Sequence, residues 1–368
     1  MKSLKRVIRL VFSRVYFVSG MYRCVHKGSV VILMYHRVLD SDTIRKDLIQ
    51  PGMYVSRNTF KKHVSFLAAN YNMISFQDFL KHLNKNYLNP EEQYCIITFD
   101  DGWKDNYYNA FPTLKEYKVP ATIFLVSSFL EKEGDFWVRR LERLVNHIQS
   151  TGKGLDEGRL NSLARKWLGD VAERYIPPLL FIGHNRETKK LQSDLDKAIE
   201  WLKKCKENLV RNFIAELEET VGLVPSSYNE FLDWEEVKEM SSNGISFGSH
   251  GVSHRILTSC SFEEMRREIE QSHVFLSSKG TNYVPVFSYP NGNTNSSITQ
   301  LVKHAGYQAA VTTCSGTNGI KRLYPFHLNR ISIHEDVSTD PQMFAFHISR
   351  ILSIANLRKR EHSHEKKG

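Results

Sequence analysis

The stretch Ile96-Ile97-Thr98-Phe99-Asp100-Asp101-Gly102 constrains the fold more than any other in the chain. Its apolar run lacks the alternation of a half-exposed strand, so it predicts a strand covered on both faces. The two carboxylates then stand at the strand's C-terminal end, where chains that alternate strands with helices place their chemistry. Neighbouring acids repel, so burying both calls for a metal ion, a proton or an arginine. An Asp-Gly turn is the alternative reading of the same residues.

Similar apolar runs recur at 30–35, 120–126, 245–249, 284–288, 309–313 and 328–333, most of them followed by helical patterns. The first runs into His36-Arg37, the third delivers His250 and the fourth leads to Tyr289. Seven or eight short buried strands alternating with helices indicate an α/β chain, either a β/α barrel or an open doubly wound sheet. The barrel is preferred because polar and ionisable residues recur at the ends of several strands: His36, Asp100, Asp101, His250 and Tyr289.

Helix starts are marked by Ser75 as an N-cap and by two capping boxes, Asp233 with Glu236 and Ser261 with Glu264. Residues 103–117 predict one helix, in which Pro112 has to sit near the first turn or kink it. Residues 40–58, polar and rich in turn formers, read as a long loop over the first strand's end. From about 131 to 230 the pattern changes to long charged helices without a comparable strand, a helical insertion between strands. Its Trp137, Trp167 and Trp201 are expected to fill the insertion's interior rather than form a sugar platform, since aromatics at helical spacing mostly pack cores.

Residues 1–28 form a basic segment, 29–340 hold the chemistry, and 341–368 are expected as a final helix and charged tail. With 368 residues, 41% hydrophobic and 24% charged, the chain has a globular composition. Much of its net charge of +10 lies near the two ends, in residues such as Arg9 and Arg14 and in Arg358-Lys359-Arg360, so it is partly a property of tails and weakens any claim of a basic groove. No recognition motif for nucleic acid accompanies it, and no nucleic-acid partner is expected. Five scattered cysteines without C-x-x-C spacing argue against a disulfide framework or a structural zinc site and favour a reducing compartment, the cytoplasm. Arg9 and Arg14 interrupt the apolar stretch of the first twenty residues and no small-residue cleavage site follows, so no signal peptide is expected. An amphipathic helix resting on a membrane surface is one expectation for this segment, and a helix packed on the domain is the other.

The second informative stretch is Gly248-Ser249-His250-Gly251-Val252-Ser253-His254. His-x-x-x-His sets two imidazoles one helical turn apart, a common grip on one metal ion. With a strand-end carboxylate, two histidines leave open coordination positions, which is a catalytic rather than a structural arrangement.

Thr98-Phe99-Asp100-Asp101-Gly102, Ser249-His250 through Ser253-His254, and Phe287-Ser288-Tyr289-Pro290-Asn291-Gly292, in that order and at strand ends, resemble the polysaccharide deacetylases, the NodB-homology group of carbohydrate esterases. Leu33-Met34-Tyr35-His36-Arg37 is similar to the start of many members. The resemblance spans roughly residues 30–335 apart from the insertion. It implies a distorted (β/α) barrel of about seven strands and removal of an N-acetyl group from an amino sugar in a glycan or glycan precursor. It also implies a divalent metal, commonly zinc, with Asp101, His250 and His254 as ligands, Asp100 as general base and the backbone N–H of Tyr289 at the oxyanion. Where many members carry an arginine in the third motif this chain has Ser288, and Arg330 is the expected partner of Asp100. The acid histidine of the family has no clean counterpart; His334, His327 and His36 are the candidates, in that order.

Three other readings use the same residues. An O-acetyl esterase or a non-carbohydrate amidase would need the same site. A catalytically silent glycan-binding homologue would account for the missing arginine. A non-haem iron oxygenase also uses two histidines and a carboxylate, although the second aspartate and the strand-helix alternation argue against it.

Overall fold

The computed structural model describes residues 2–50, 52–131, 136–152, 155–174, 176, 188–224 and 229–350. The strands in chain order are β1 Ser29–Tyr35, β2 Arg37–Leu39, β3 Tyr54–Ser56, β4 Asn72–Met73, β5 Gln93–Phe99, β6 Ala121–Leu125, β7 Ile245–Ser249, β8 Tyr283–Ser288, β9 Ala309–Val311, β10 Asn318–Gly319 and β11 Ile331–Ser332. The parallel path runs β1-β5-β6-β7-β8-β9. Leu328 bridges to Val311 of β9, and three residues later Ile331 pairs with Leu33 of β1. The segment 328–332 therefore joins the last strand to the first, and the curled sheet has the (β/α) barrel fold expected, with seven strands in the ring.

The strands alternate between two cores. Val31, Leu33, Tyr35, Cys95, Ile97, Phe99, Ile123 and Leu125 face the surrounding helices. Val30, Ile32, Ile96, Phe124, Val286 and Val311 fill the barrel interior, with Phe76 and Phe79 of the Phe76–Lys85 helix plugging its lower end. Both faces of each strand are buried, which is why these runs are continuously apolar. Gly248 belongs to this fit, because a Cβ there would stand 2.6 Å from the Phe124 ring and 2.8 Å from the Val286 carbonyl. Thr98 and Asp100 continue the inward set of β5, so Asp100 lies at the top of the filled interior.

Several expectations are refined. Ser75 caps the Phe76–Lys85 helix by accepting from the Asp78 N–H, and both capping boxes form. The helix expected over 103–117 is a π-helical turn, Asn106–Ala110, followed by an α-helix, Phe111–Tyr117, with Pro112 in its first turn. The loop expected over 40–58 contains a short helix, Ser41–Lys46, and β3, which pairs with β2 just before the loop. Of 328–333, two residues form ladder pairs with β1, because this segment crosses a gap rather than running along a neighbour. The tail beyond 350 lies outside the described residues.

The insertion contributes the helices Trp137–Thr151, Glu157–Leu168, Thr188–Leu202 and Glu207–Val221, which share a separate core of Leu141, Leu144, Leu160, Leu195, Phe213 and Ile214. Trp167 and Trp201 pack on that core, as expected. Trp137 packs there and also lines the cavity described next. The N-terminal helix, Lys2–Val18, packs Ser13 and Tyr16 inward, Tyr16 against Phe346 of the Pro341–Ser349 helix. Among the described residues no helix is long and apolar enough to cross a membrane.

Candidate metal and catalytic site

A cavity of about 350 Å³ opens over the C-terminal ends of the strands. Its floor is His36, Asp100, Asp101, His250 and His254, and its rim includes Asn291, Thr313 and residues of the insertion.

Asp101 follows β5 with φ +78°, and Gly102 repeats that value. Two consecutive left-handed residues turn the chain off the strand, and holding an aspartate there is a strain that the site must offset. Asp101 Oδ2 accepts from the Trp103 indole N–H at 2.9 Å, whereas Oδ1 is buried without a hydrogen-bond partner. The Trp103 ring is fixed by stacking on Phe136 and by the Arg37 guanidinium 4.4 Å from its centroid; Arg37 is itself paired with Asp105 at 2.8 Å.

Facing that orphaned oxygen are His250 Nε2 at 3.4 Å and His254 Nε2 at 3.5 Å. His250 Nδ1 lies 2.7 Å from the Ser288 carbonyl, to which it donates, so Nε2 is left as the lone-pair nitrogen. Burial beside His250 holds His254 well below the usual imidazole range, neutral and able to ligate. Burial disfavours the charged form of His250 too, but the charges of Asp100 and Asp101 outweigh it and raise its pKa. These three side chains fit a metal ion. Ligand atoms around a tetrahedral ion at about 2.0–2.1 Å lie roughly 3.4 Å apart, the observed spacing on both sides of Asp101. An unpartnered buried carboxylate oxygen is costly unless a cation meets it.

The two histidines do not lie on a helix as their spacing implies. His250 ends the barrel strand and His254, with φ +61°, closes an irregular loop. The loop is held by Glu268 of the Phe262–Ser277 helix, whose Oε2 accepts from the N–H groups of Val252 and Ser253 at 2.9 Å each, while Oε1 accepts from the Ser253 hydroxyl at 2.5 Å. Gly251 has φ +86°, and a Cβ there would sit 2.9 Å from Glu268 Oε2. Neither Glu268 nor Trp103 is evident as a site residue from sequence. Trp103 has a signal in its adjacency to the Asp pair; Glu268 has none beyond the helix start that precedes it.

Asp100 is 2% exposed and Arg330 fully buried. Arg330 Nη1 and Nη2 each donate at 2.7 Å to a different oxygen of Asp100, Nη2 donates to the Ser288 hydroxyl at 3.0 Å, and Nε donates to the Thr312 carbonyl at 2.9 Å. The arginine missing from the third motif is thus replaced in space from the barrel-closing segment, and the small Ser288 leaves room for it. Burial pushes the Asp100 pKa up, but the Arg330 charge outweighs this and holds the carboxyl below its ordinary value. His250 Nε2 stands 4.0 Å from Asp100 Oδ2.

Three expected site residues are placed elsewhere. The backbone N–H of Tyr289 donates to the Val311 carbonyl at 3.2 Å, because the β8–β9 ladder continues past Ser288, so it is not free for an oxyanion; its hydroxyl donates to the Phe326 carbonyl. His334 starts the short Glu335–Ser338 helix beside Asp336, Arg9 and His347 and does not line the cavity. His327 is exposed and also outside the lining. His36 is brought to the cavity floor, with its Nδ1 buried and unpartnered. Burial lowers its pKa against the raising influence of Asp101 and Asp100.

The family model described as polysaccharide deacetylase matches residues 88–215 and 199–310. A Staphylococcus epidermidis poly-beta-1,6-N-acetyl-D-glucosamine N-deacetylase is 26% identical over 238 residues, which cover 60% of this chain and 72% of that protein. The deacetylase homologue YxkH of Bacillus subtilis is 22% identical over 303 residues, covering 82% and 71%. Among solved structures, a Streptococcus pyogenes deacetylase in complex with acetate superposes with a TM-score of 0.53 at 19% identity, covering 84% of this chain and 95% of that one, a likeness of fold. With the motif residues gathered at one cavity and the family match extending across most of the barrel, the chain belongs to the polysaccharide deacetylases, hydrolases that act on carbon–nitrogen bonds other than peptide bonds.

Proposed function

We propose that the protein removes acetyl groups from an N-acetylated amino sugar in a glycan or glycan precursor, with Asp101, His250 and His254 holding a divalent ion, zinc by the nature of the ligands. The observation that carries this reading is the buried, unpartnered Oδ1 of Asp101 facing two imidazole nitrogens at 3.4 and 3.5 Å. Such an ion supplies Lewis acidity to the acyl carbonyl and makes a water nucleophilic near neutral pH.

The chain's own residues do the rest. Asp100, kept ionised by Arg330, accepts the proton of the attacking water as general base. Arg330 contacts no substrate; it positions the carboxylate and prevents its protonation. The Ser288 carbonyl fixes the His250 tautomer. The proton that Asp100 takes from the water is passed to the departing amine by way of His36, whose neutral ring at the cavity floor accepts it and hands it on. The indole of Trp103 and the clamp of Glu268 keep the ligand atoms in register, the kind of support that ligand geometry depends on. Substrate N-acetyl and O-acetyl groups are cleaved by the same arrangement, and the match to amide-cleaving relatives favours the former.

The test is a panel of N-acetylated chito-oligosaccharides, O-acetylated sugars and acetylated peptides, read by mass spectrometry. Loss of one acetyl from the amino sugars with formation of a free amine is expected. Turnover confined to the O-acetyl compounds, or none on any member with metal bound, contradicts the reading.

A further inference from the structure

Away from the ligand residues the cavity changes character. Toward the insertion its wall is built by Trp137 and Val138 at the start of the Trp137–Thr151 helix, by Leu202 and Val210 at the junction of the Thr188–Leu202 and Glu207–Val221 helices, and by Ile49 and Ile256. The charged side chains on this side are already engaged. Arg139 meets Asp47 at 2.8 Å, Glu230 at 3.0 Å and Glu142 at 3.3 Å, Lys203 meets Glu200 at 2.7 Å, and Glu207 meets Arg211 at 2.8 Å. A sugar ring needs flat aromatic faces and unspent hydrogen-bonding groups for its hydroxyls, and hydroxyls set against an aliphatic wall lose their water without compensation. Five aliphatic side chains in one wall match a chain of methylenes instead.

A separate surface bears on where such a group comes from. On the outer side of the Lys2–Val18 helix, Val11, Phe12, Val15 and Val18 are 56%, 55%, 63% and 85% exposed. They form one stripe, at spacings that return to one helix face, with exposed Arg14 beside it and with Ser13 and Tyr16 buried on the opposite side. An apolar stripe with an exposed arginine beside it fits the surface of an anionic bilayer.

We propose that the substrate is an acylated amino sugar carrying an aliphatic aglycone, a glycolipid taken at a bilayer surface. The acyl group lies at the Asp100 end of the cavity, and the first methylenes of the aglycone lie against Ile49, Trp137, Val138, Leu202, Val210 and Ile256. The sugar part of this inference rests on the deacetylase reading above; the aliphatic part rests on the wall. The insertion, for which the family resemblance implies nothing, is then the specificity element of this chain.

The test is calorimetric binding of octyl and methyl 2-acetamido-2-deoxy-glucopyranoside, the former below its micellar concentration, to the full chain with chelator present to suspend turnover. Each methylene buried contributes about fourfold in affinity, so octyl binding at least tenfold tighter than methyl binding is expected. Val138→Ser and Ile256→Ser, both at half-buried positions, reduce that ratio at least threefold with unchanged melting temperature. Equal affinities, or a ratio unaffected by both variants, overturn the inference. Tighter binding of methyl 2-octanoylamido-2-deoxy-glucopyranoside than of the octyl glycoside places the aliphatic group on the acyl side and overturns it as well. Acetate release from chito-oligosaccharides without an alkyl preference removes this inference and leaves the function standing; an alkyl preference without acetate release does the reverse.

Discussion

The guanidinium of Arg330 spans both oxygens of Asp100, Nη1 to Oδ1 and Nη2 to Oδ2, at 2.7 Å each. Both are buried, so neither can turn to solvent instead. The arginine comes from the segment that closes the barrel, so closure of the fold and ionisation of the proposed base depend on the same residue.

Replacing Arg330 with Met leaves the Asp100 carboxylate buried and unpaired, which costs about 3–5 kcal/mol of stability. In Arg330→Lys a point charge cannot span two oxygens, and Asp100 loses part of what holds its pKa down. The expected result is a fall of roughly hundredfold in kcat/KM at pH 7, with partial recovery as pH rises, because the carboxylate then ionises at higher pH. A pH–rate profile of Arg330→Lys checks this; an acid limb identical to wild type contradicts it.

Glu268 touches neither metal ligand, yet it holds the loop between them through the Val252 and Ser253 N–H groups. Glu268→Ala strips those donors of their acceptor and frees the loop that carries His254. Metal affinity is expected to fall about 10–100-fold, measured by competition with a chromogenic chelator, while Glu268→Gln retains one acceptor oxygen and loses less.

How much of this was legible in the sequence follows physical lines. The continuous apolar runs 30–35 and 96–99 disclosed strands buried on both faces, and the caps at Ser75, Asp233 and Ser261 are local chemistry that three residues suffice to encode. The π-turn at 106–110 and the short closing segment around Ile331 are set by what they pack against, and no local pattern specifies them. The His250–His254 spacing disclosed proximity but not conformation, because the loop is shaped by Glu268 fourteen residues beyond His254. The pairing of the Tyr289 N–H is not legible in the sequence, because a backbone N–H at a strand end is free or paired according to the length of the neighbouring strand. His36 ranked last among the acid candidates, since its strand offered no motif beyond the family's opening; the cavity brings it forward.

The stability of the fold should fall in mild acid for reasons remote from the site. Burial lowers the pKa of His63 to about 3, and His26 and His347 to about 4. His63 is satisfied as a neutral ring, with Nε2 donating to the Ser338 carbonyl at 2.6 Å and Nδ1 accepting from the Tyr35 hydroxyl at 3.2 Å. In the unfolded chain these rings protonate near pH 6.5, so the unfolded state binds more protons between that pH and 3–4. The stabilisation is therefore complete above about pH 6.5 and is lost as pH falls toward the folded values, by up to about 1.4 kcal/mol per pH unit for each ring. Thermal melts from pH 7.5 to 4.5 should show a steadily falling midpoint, and a flat midpoint contradicts the assignment.

The outer stripe of the Lys2–Val18 helix gives a separate expectation. The protein should co-sediment with vesicles containing phosphatidylglycerol and much less with pure phosphatidylcholine, with binding weakened by salt. Phe12→Glu with Val15→Glu, both exposed and outside the core, should abolish it without changing the melting temperature. Unchanged sedimentation of that variant would remove the membrane surface from the account.

The most direct test of the central claim is acetate release from N-acetylated chito-oligosaccharides by protein of measured metal content, compared between wild type and Asp100→Asn. The account predicts one divalent ion per chain in both proteins, turnover in wild type that chelator abolishes and added metal restores, and a loss of at least a hundredfold in Asp100→Asn. Full turnover by metal-free protein, or by Asp100→Asn, would contradict it.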